Sequence, residues 1–235
     1  MLPFELSLDH IDTLRSFRML CCTNKTVKKY LILRYADYTA LNQLISQLSW
    51  LPELCPHPAD VWRVHTLLQQ IKCRLHRMLG NQTLAANSLV VAPRRAGKTE
   101  LVGTIAAALL LSNRKVVVVA TCRRVASNIM RQCLELGACG SGYSNFIQHR
   151  DGWVQCCHLS GSASFSPIDT ADVILIDEAA YATPEVVEVA SRAKCTFMIS
   201  TLTSHTNHFS GMCSNPAFNV VNAPSSPWAF VVRWE

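Results

Sequence analysis

Ser88-Leu89-Val90-Val91-Ala92-Pro93-Arg94-Arg95-Ala96-Gly97-Lys98-Thr99-Glu100 is the stretch on which the reading of this chain turns. Its apolar opening, Leu89-Val90-Val91, reads as a short buried strand. Pro93 breaks the strand into a basic loop, and from Lys98 to about Leu111 an almost uninterrupted apolar run reads as a helix. A strand, a tight loop and a helix that starts at Gly-Lys-Thr form the arrangement of a phosphate-binding loop. The residue types follow from the chemistry. Successive backbone N–H groups curl around a β-phosphate, and the helix N-terminus adds partial positive charge. Lys98 is placed for the β- and γ-oxygens, and the Thr99 hydroxyl for Mg²⁺. Ala92 stands where the strict pattern has glycine. On these residues alone, a basic loop that happens to contain Gly-Lys-Thr is the alternative.

From this stretch onward the pattern alternates. Val116 to Ala120 reads as a second strand buried on both faces, Arg124 to Leu136 as a helix, and Gly137 to Gly142 as a loop. Phe146 to His149 and Trp153 to His158 flank Arg150-Asp151-Gly152, a hairpin turn signal. Val173 to Ile176 reads as another buried strand, Pro184 to Ala193 as a helix, and Thr196 to Ile199 as a fourth buried strand. Phe218 to Val221 and Phe230 to Val232 are further candidates. Such alternation calls for an α/β fold, a mostly parallel sheet covered by helices on both faces.

Residues 1–80 read as a helical N-terminal region ahead of a domain over 81–235. Ile11 to Leu20 and Tyr38 to Trp50 repeat apolar residues three and four apart. Three prolines between Leu51 and Pro58 break the pattern, and a helix resumes from Ala59 or Asp60 to Leu79, before Gly80-Asn81.

Composition sets the bounds. With 49% hydrophobic and 16% charged residues the chain is globular rather than disordered. No apolar run approaches the roughly 18–20 residues of a membrane span, so no membrane partner is expected. The opening MLPFELSLDH lacks the basic-then-apolar layout of a secretory signal. Eleven cysteines without a Cys-x-x-Cys pair read as reduced thiols of an intracellular protein. Cys156-Cys157-His158 lacks the further ligands of a zinc cage and reads as core or strand. The net charge of +6 is uneven: +4 over residues 1–80, +6 over 81–135 and −4 over 136–235. The basic part suits a polyanion or a solvated face equally well.

The strand Val173-Ile174-Leu175-Ile176 delivers Asp177-Glu178-Ala179 at its carboxyl end. A nucleotide hydrolase needs one carboxylate to hold Mg²⁺ and an adjacent one to polarise the attacking water. Asp177 fits the first role and Glu178 the second. In the right order after Lys98-Thr99, the pair points to nucleotide hydrolysis. The strand Thr196 to Ile199 then runs into Ser200-Thr201-Leu202-Thr203-Ser204-His205, hydroxyls placed where ligands sit in open α/β sheets. There Ser200 and Thr201 can sense a γ-phosphate. Ala120-Thr121-Cys122-Arg123-Arg124, at the end of the second strand, is in position to touch a bound polymer, with Lys72, Arg74 and Arg77 as weaker candidates.

Ala92-Pro93-Arg94-Arg95-Ala96-Gly97-Lys98-Thr99, followed by Val173 to Ala179, resembles the ATPase module of viral DNA-packaging large terminase subunits, the herpesvirus type above all. Arginine inside the loop and a replaced leading glycine carry the resemblance, which extends from about Leu84 to Val221. It implies an additional-strand P-loop fold, with the Ser200 strand between the phosphate-loop strand and the Asp177 strand. It implies that Pro93, Arg94, Arg95, Ala96, Gly97, Lys98, Thr99, Ser200 and Thr201 bind ATP, that Thr99 and Asp177 hold Mg²⁺, and that Glu178, Lys98 and Arg95 act in hydrolysis. Double-stranded DNA, a capsid portal, other terminase subunits and a homo-oligomeric ring are the implied partners, and the host nucleus the implied location. The family continues into a nuclease domain, for which this chain has no acidic cluster: after Glu178 it holds only Glu185, Glu188 and Glu235. A helicase-like translocase and a nucleotide-binding assembly subunit without turnover are the competing readings.

Overall fold

The computed structural model describes residues 38–137, 141–143, 145–158, 170–201 and 211–223. The elements expected over Ile11–Leu20 and Phe230–Val232, and the residues after Thr201 up to His205, lie outside the described residues. Helix α1 includes residues 38–47 and is followed by the proline-rich break. Next come α2 (Val61–Leu79), β1 (Asn87–Val91), α3 (Lys98–Leu111), β2 (Lys115–Ala120) and α4 (Arg123–Gly137). They are followed by β3 (Ser141–Tyr143), β4 (Phe146–His149), β5 (Gly152–His158), β6 (Val173–Asp177), α5 (Pro184–Ser191), β7 (Thr196–Ser200) and β8 (Asn219–Asn222).

Among the described residues, eight strands form one sheet in the order β3-β4-β5-β2-β6-β7-β1-β8. Every pairing from β5 to β8 is parallel, and the β3-β4-β5 edge is antiparallel. β7 therefore lies between the strand that feeds the Gly-Lys-Thr loop and the strand that ends at Asp177. That is the additional-strand P-loop order, a mostly parallel sheet flanked by helices. The hairpin expected around Arg150-Asp151-Gly152 is present, with Arg150 in a left-handed conformation at φ 54°. The loop expected over Gly137–Gly142 gives way at Ser141 to β3. Ser-Gly-Tyr is too short and too polar for an alternating signal, and pairing with β4 makes it a strand.

Alternation along the strands divides the core in two. Val90, Val118, Leu175, Phe197 and Ile199 face one apolar cluster, shared with α2, α3 and α4. Leu89, Val117, Ile174, Ile176 and Met198 face the other, closed by α5, Met212 and Phe218. α3 is buried along almost its whole length, as expected of a helix that is apolar all round. It rests on the sheet beneath α2 and α4. The described part of the N-terminal helical region belongs to the same core. Leu41, Leu54, Leu68 and Ile71 are fully buried in the first cluster, and the Trp50 ring sits 5.1 Å from that of Phe197 on β7.

Candidate functional site

Parallel strands place their carboxyl ends on one edge of the sheet, and the sequence puts its polar residues there. β1 leads into the loop, which is tied to β7 where the Ala92 N–H donates to the Ser200 carbonyl at 2.9 Å. Two residues of the loop have positive φ. Arg95 stands at 64°, and Gly97, at 82°, caps α3. Glycine takes the second of these conformations without strain, which is why the loop can turn so tightly into the helix. Arg95 carries some strain there.

Lys98 is buried and reaches three groups: the Thr201 hydroxyl at 2.6 Å, the Pro93 carbonyl at 3.2 Å and the Glu178 carboxylate at 3.4 Å. Thr99 donates its hydroxyl hydrogen to Asp177 Oδ2 at 2.7 Å. Asp177 is 1% exposed, and its other oxygen, Oδ1, finds no partner among the described residues. Burial raises the Asp177 carboxyl above its ordinary pKa; the Thr99 hydrogen bond opposes this, and the neighbouring Glu178 charge adds to it. A buried carboxylate with a free oxygen next to a threonine hydroxyl is a set of hard oxygen donors, and it fits a divalent cation such as Mg²⁺. A cation there would neutralise charge on phosphate oxygens.

Glu178 follows β6 in a left-handed conformation, φ 54° and ψ 55°. That bend turns the carboxylate away from Asp177 and toward β7. The Thr201 backbone N–H donates to Glu178 Oε2 at 3.2 Å and the Thr201 hydroxyl to Oε1 at 3.4 Å. Ser200 is buried, and its hydroxyl accepts the Ala180 N–H at 3.0 Å. The hydroxyl pair at the end of β7 thus holds the Glu178 segment on one side while Thr201 meets Lys98 on the other. Arg94, Arg95, Lys98, Glu178, Tyr181 and Thr201 line a cleft of about 270 Å³.

The structure brings together most of the residues that the sequence singled out. Arg94, Arg95, Lys98, Thr99, Asp177, Glu178, Ser200 and Thr201 converge, and Pro93 joins through its carbonyl. Arg123 and Arg124 stand apart, exposed at the start of α4 beyond β2. One group was missed. Tyr181 lies 57% exposed on the turn after Glu178 and lines the cleft, with no local signal to mark it. Arg74, a weaker candidate for polymer contact, lies beside the loop, 2.5 Å from Glu100. Cys156 and Cys157 are buried in β5, all eight described cysteines are free thiols, and the described residues hold no metal-ligating cluster of His, Cys, Asp and Glu.

A family model of the helicase domain of RNA cytidine acetyltransferase NAT10/TcmA matches residues 89–208, just over half of the chain. The chain belongs to that helicase-domain family. The match runs from β1 to beyond Thr201 and so includes every residue of the cleft. No curated protein matches the sequence significantly. Among solved structures, the large terminase of bacteriophage HK97 is similar at 11% identity and a TM-score of 0.47, over 79% of this chain and 44% of that one. The large terminase ATPase domain of Thermus phage P74-26 is similar at 13% identity and a TM-score of 0.49, over 77% and 84%. The chain thus aligns with less than half the length of the HK97 protein.

Proposed function

We propose that this helicase-family chain is the ATPase part of a large terminase subunit, a motor that drives viral double-stranded DNA into a capsid. The observation that carries the reading is the pair of arginines inside the phosphate loop, both lining the same cleft as Lys98 and Glu178. Lys98 meets the β- and γ-phosphates of ATP, and Thr99 and Asp177 hold Mg²⁺. Glu178 takes a proton from water as its oxygen attacks the γ-phosphorus and the bond to the β,γ-bridging oxygen breaks. Arg95 stabilises charge on the transferring phosphoryl group, and Ser200-Thr201 connect its loss to the neighbouring strand. On this reading the partners are double-stranded DNA, a capsid portal and further terminase subunits in a homo-oligomeric ring, and the protein works in the nucleus of a host cell as the herpesvirus type does. The division into a helical region over 1–80 and an ATPase domain over 81–235 stands as part of the proposal, with the described helices of that region, residues 38–47 and Val61–Leu79, packed on the ATPase core.

A second reading, a helicase-like translocase on RNA, is favoured by the family match over residues 89–208. One experiment separates the two. ATP hydrolysis by the purified chain is measured alone, with linear double-stranded DNA and with single-stranded RNA, each at low and physiological salt. The terminase reading expects stimulation by duplex DNA of any sequence, falling steeply with salt, because phosphate contacts carry no sequence information. Stimulation by RNA alone favours the second reading, and no hydrolysis under any of these conditions refutes both.

A further inference from the structure

Resting on that nucleotide site, we propose that Arg74, from the helix ahead of the sheet, is a further phosphate-binding residue that contacts the phosphates common to ADP and ATP. α2 crosses the start of α3 and brings the Arg74 guanidinium to the flank of the loop. Its Nη1 lies 3.6 Å from the point a Cβ would occupy on Gly97, and 2.5 Å from Glu100 Oε2. Gly97 and Glu100 bracket Lys98-Thr99, so the guanidinium spans the two residues whose backbone surrounds a bound phosphate in a loop of this type. Among the described residues Glu100 is its only hydrogen-bond partner. A guanidinium has five N–H donors in a planar fork, and most remain uncommitted.

The partner explains the geometry. Glu100 is the one acid in the first turn of α3, where it favours the helix dipole yet adds negative charge beside a site that must accept phosphate. Its side chain is 64% exposed, whereas that of Arg74 is 28% exposed. Water therefore competes for the carboxylate more than for the guanidinium. A polyphosphate offers more charge and several acceptor oxygens in place of one solvated carboxylate, and the planar fork suits it. Glu100 holds Arg74 at the flank until the nucleotide takes over the donors. Lys72 does not share this position. It donates to Gln47 on the far side of α2, and Arg77 bonds back to Cys73 on its own helix. The bland alternative is a staple that fastens α2 to α3.

The two accounts differ in the sign of one substitution. Binding of Mg·ADP and of Mg·ATP to the full chain is measured by titration calorimetry for Arg74→Ala, Arg74→Lys and Glu100→Gln, with melting temperatures of each without nucleotide. Losing charge-assisted hydrogen bonds to phosphate, Arg74→Ala should weaken ADP and ATP by the same factor, roughly tenfold to a hundredfold. Arg74→Lys should fall between it and the parent. Glu100→Gln should bind as tightly as the parent or more tightly, because it frees the guanidinium. A staple would make Arg74→Ala and Glu100→Gln lose alike. Equal losses, or Arg74→Ala within threefold of the parent, overturn the proposal. The nucleotide site itself fails differently: the parent chain would not bind ADP, or Lys98→Ala would bind it as well as the parent does.

Discussion

Asp177→Asn should make the nucleotide-free protein more stable while it abolishes the response to magnesium. The carboxylate is 1% exposed, with Oδ2 bonded to Thr99 at 2.7 Å and Oδ1 without a partner among the described residues. An unpaired buried polar atom costs about 1–3 kcal/mol, more when charged. Asparagine keeps one oxygen for the Thr99 hydroxyl and puts a neutral amide where the charged oxygen stood. The amide asks for a partner of its own, so the net gain is expected at about 1 kcal/mol, near 2–4 °C in melting temperature for a chain of this size. The pH dependence has a definite sign. Folding raises the Asp177 pKa, chiefly through burial, so the charge destabilises the fold above the folded pKa and ceases to do so once acid protonates it. The advantage of Asp177→Asn should therefore be largest near neutral to mildly alkaline pH and shrink as the pH falls. Thermal melts with EDTA, repeated down the pH scale, read this directly. Melts with Mg·ADP add the second half: the parent should gain several degrees over its EDTA value and the variant much less. A lower melting temperature for Asp177→Asn in EDTA at pH 8, or an undiminished Mg·ADP gain, would refute the reasoning.

Two further outcomes follow from the same geometry. Lys98→Ala should remove most nucleotide binding, whereas Glu178→Gln should keep the affinity and stop hydrolysis, as equilibrium titration and phosphate release measure; equal loss of affinity in both denies Glu178 its role on the water. Alkylation followed by mass spectrometry should label Cys122 before Cys133 or Cys195 at pH 7.5. The Val125 backbone N–H holds the Cys122 thiol below its ordinary range, while burial pushes Cys133 up to about 12 and Cys195 up to about 11; the reverse order of labelling would contradict these environments.

The local spacing of residues determined much of this protein. Leu89-Val90-Val91, the break at Pro93 and the apolar run from Lys98 fixed β1, the loop and α3, because strand and helix periods are properties of a dozen neighbouring residues. Arg150-Asp151-Gly152 fixed a hairpin for the same reason, and Val173 to Ile176 announced a buried strand with its carboxylates at the end. What needed the tertiary structure lies in contacts between distant parts of the chain. No local pattern brings Arg74 to Glu100 or packs Trp50 on Phe197; both follow from segments far apart in sequence sharing one core. Nor does spacing reveal that Glu178 adopts φ 54° and gives its carboxylate to Thr201. That orientation depends on β7 entering between β1 and β6, a pairing between strands far apart in sequence. The residue types of the site are written in short stretches, and their mutual geometry is set by strand order, which short stretches do not encode.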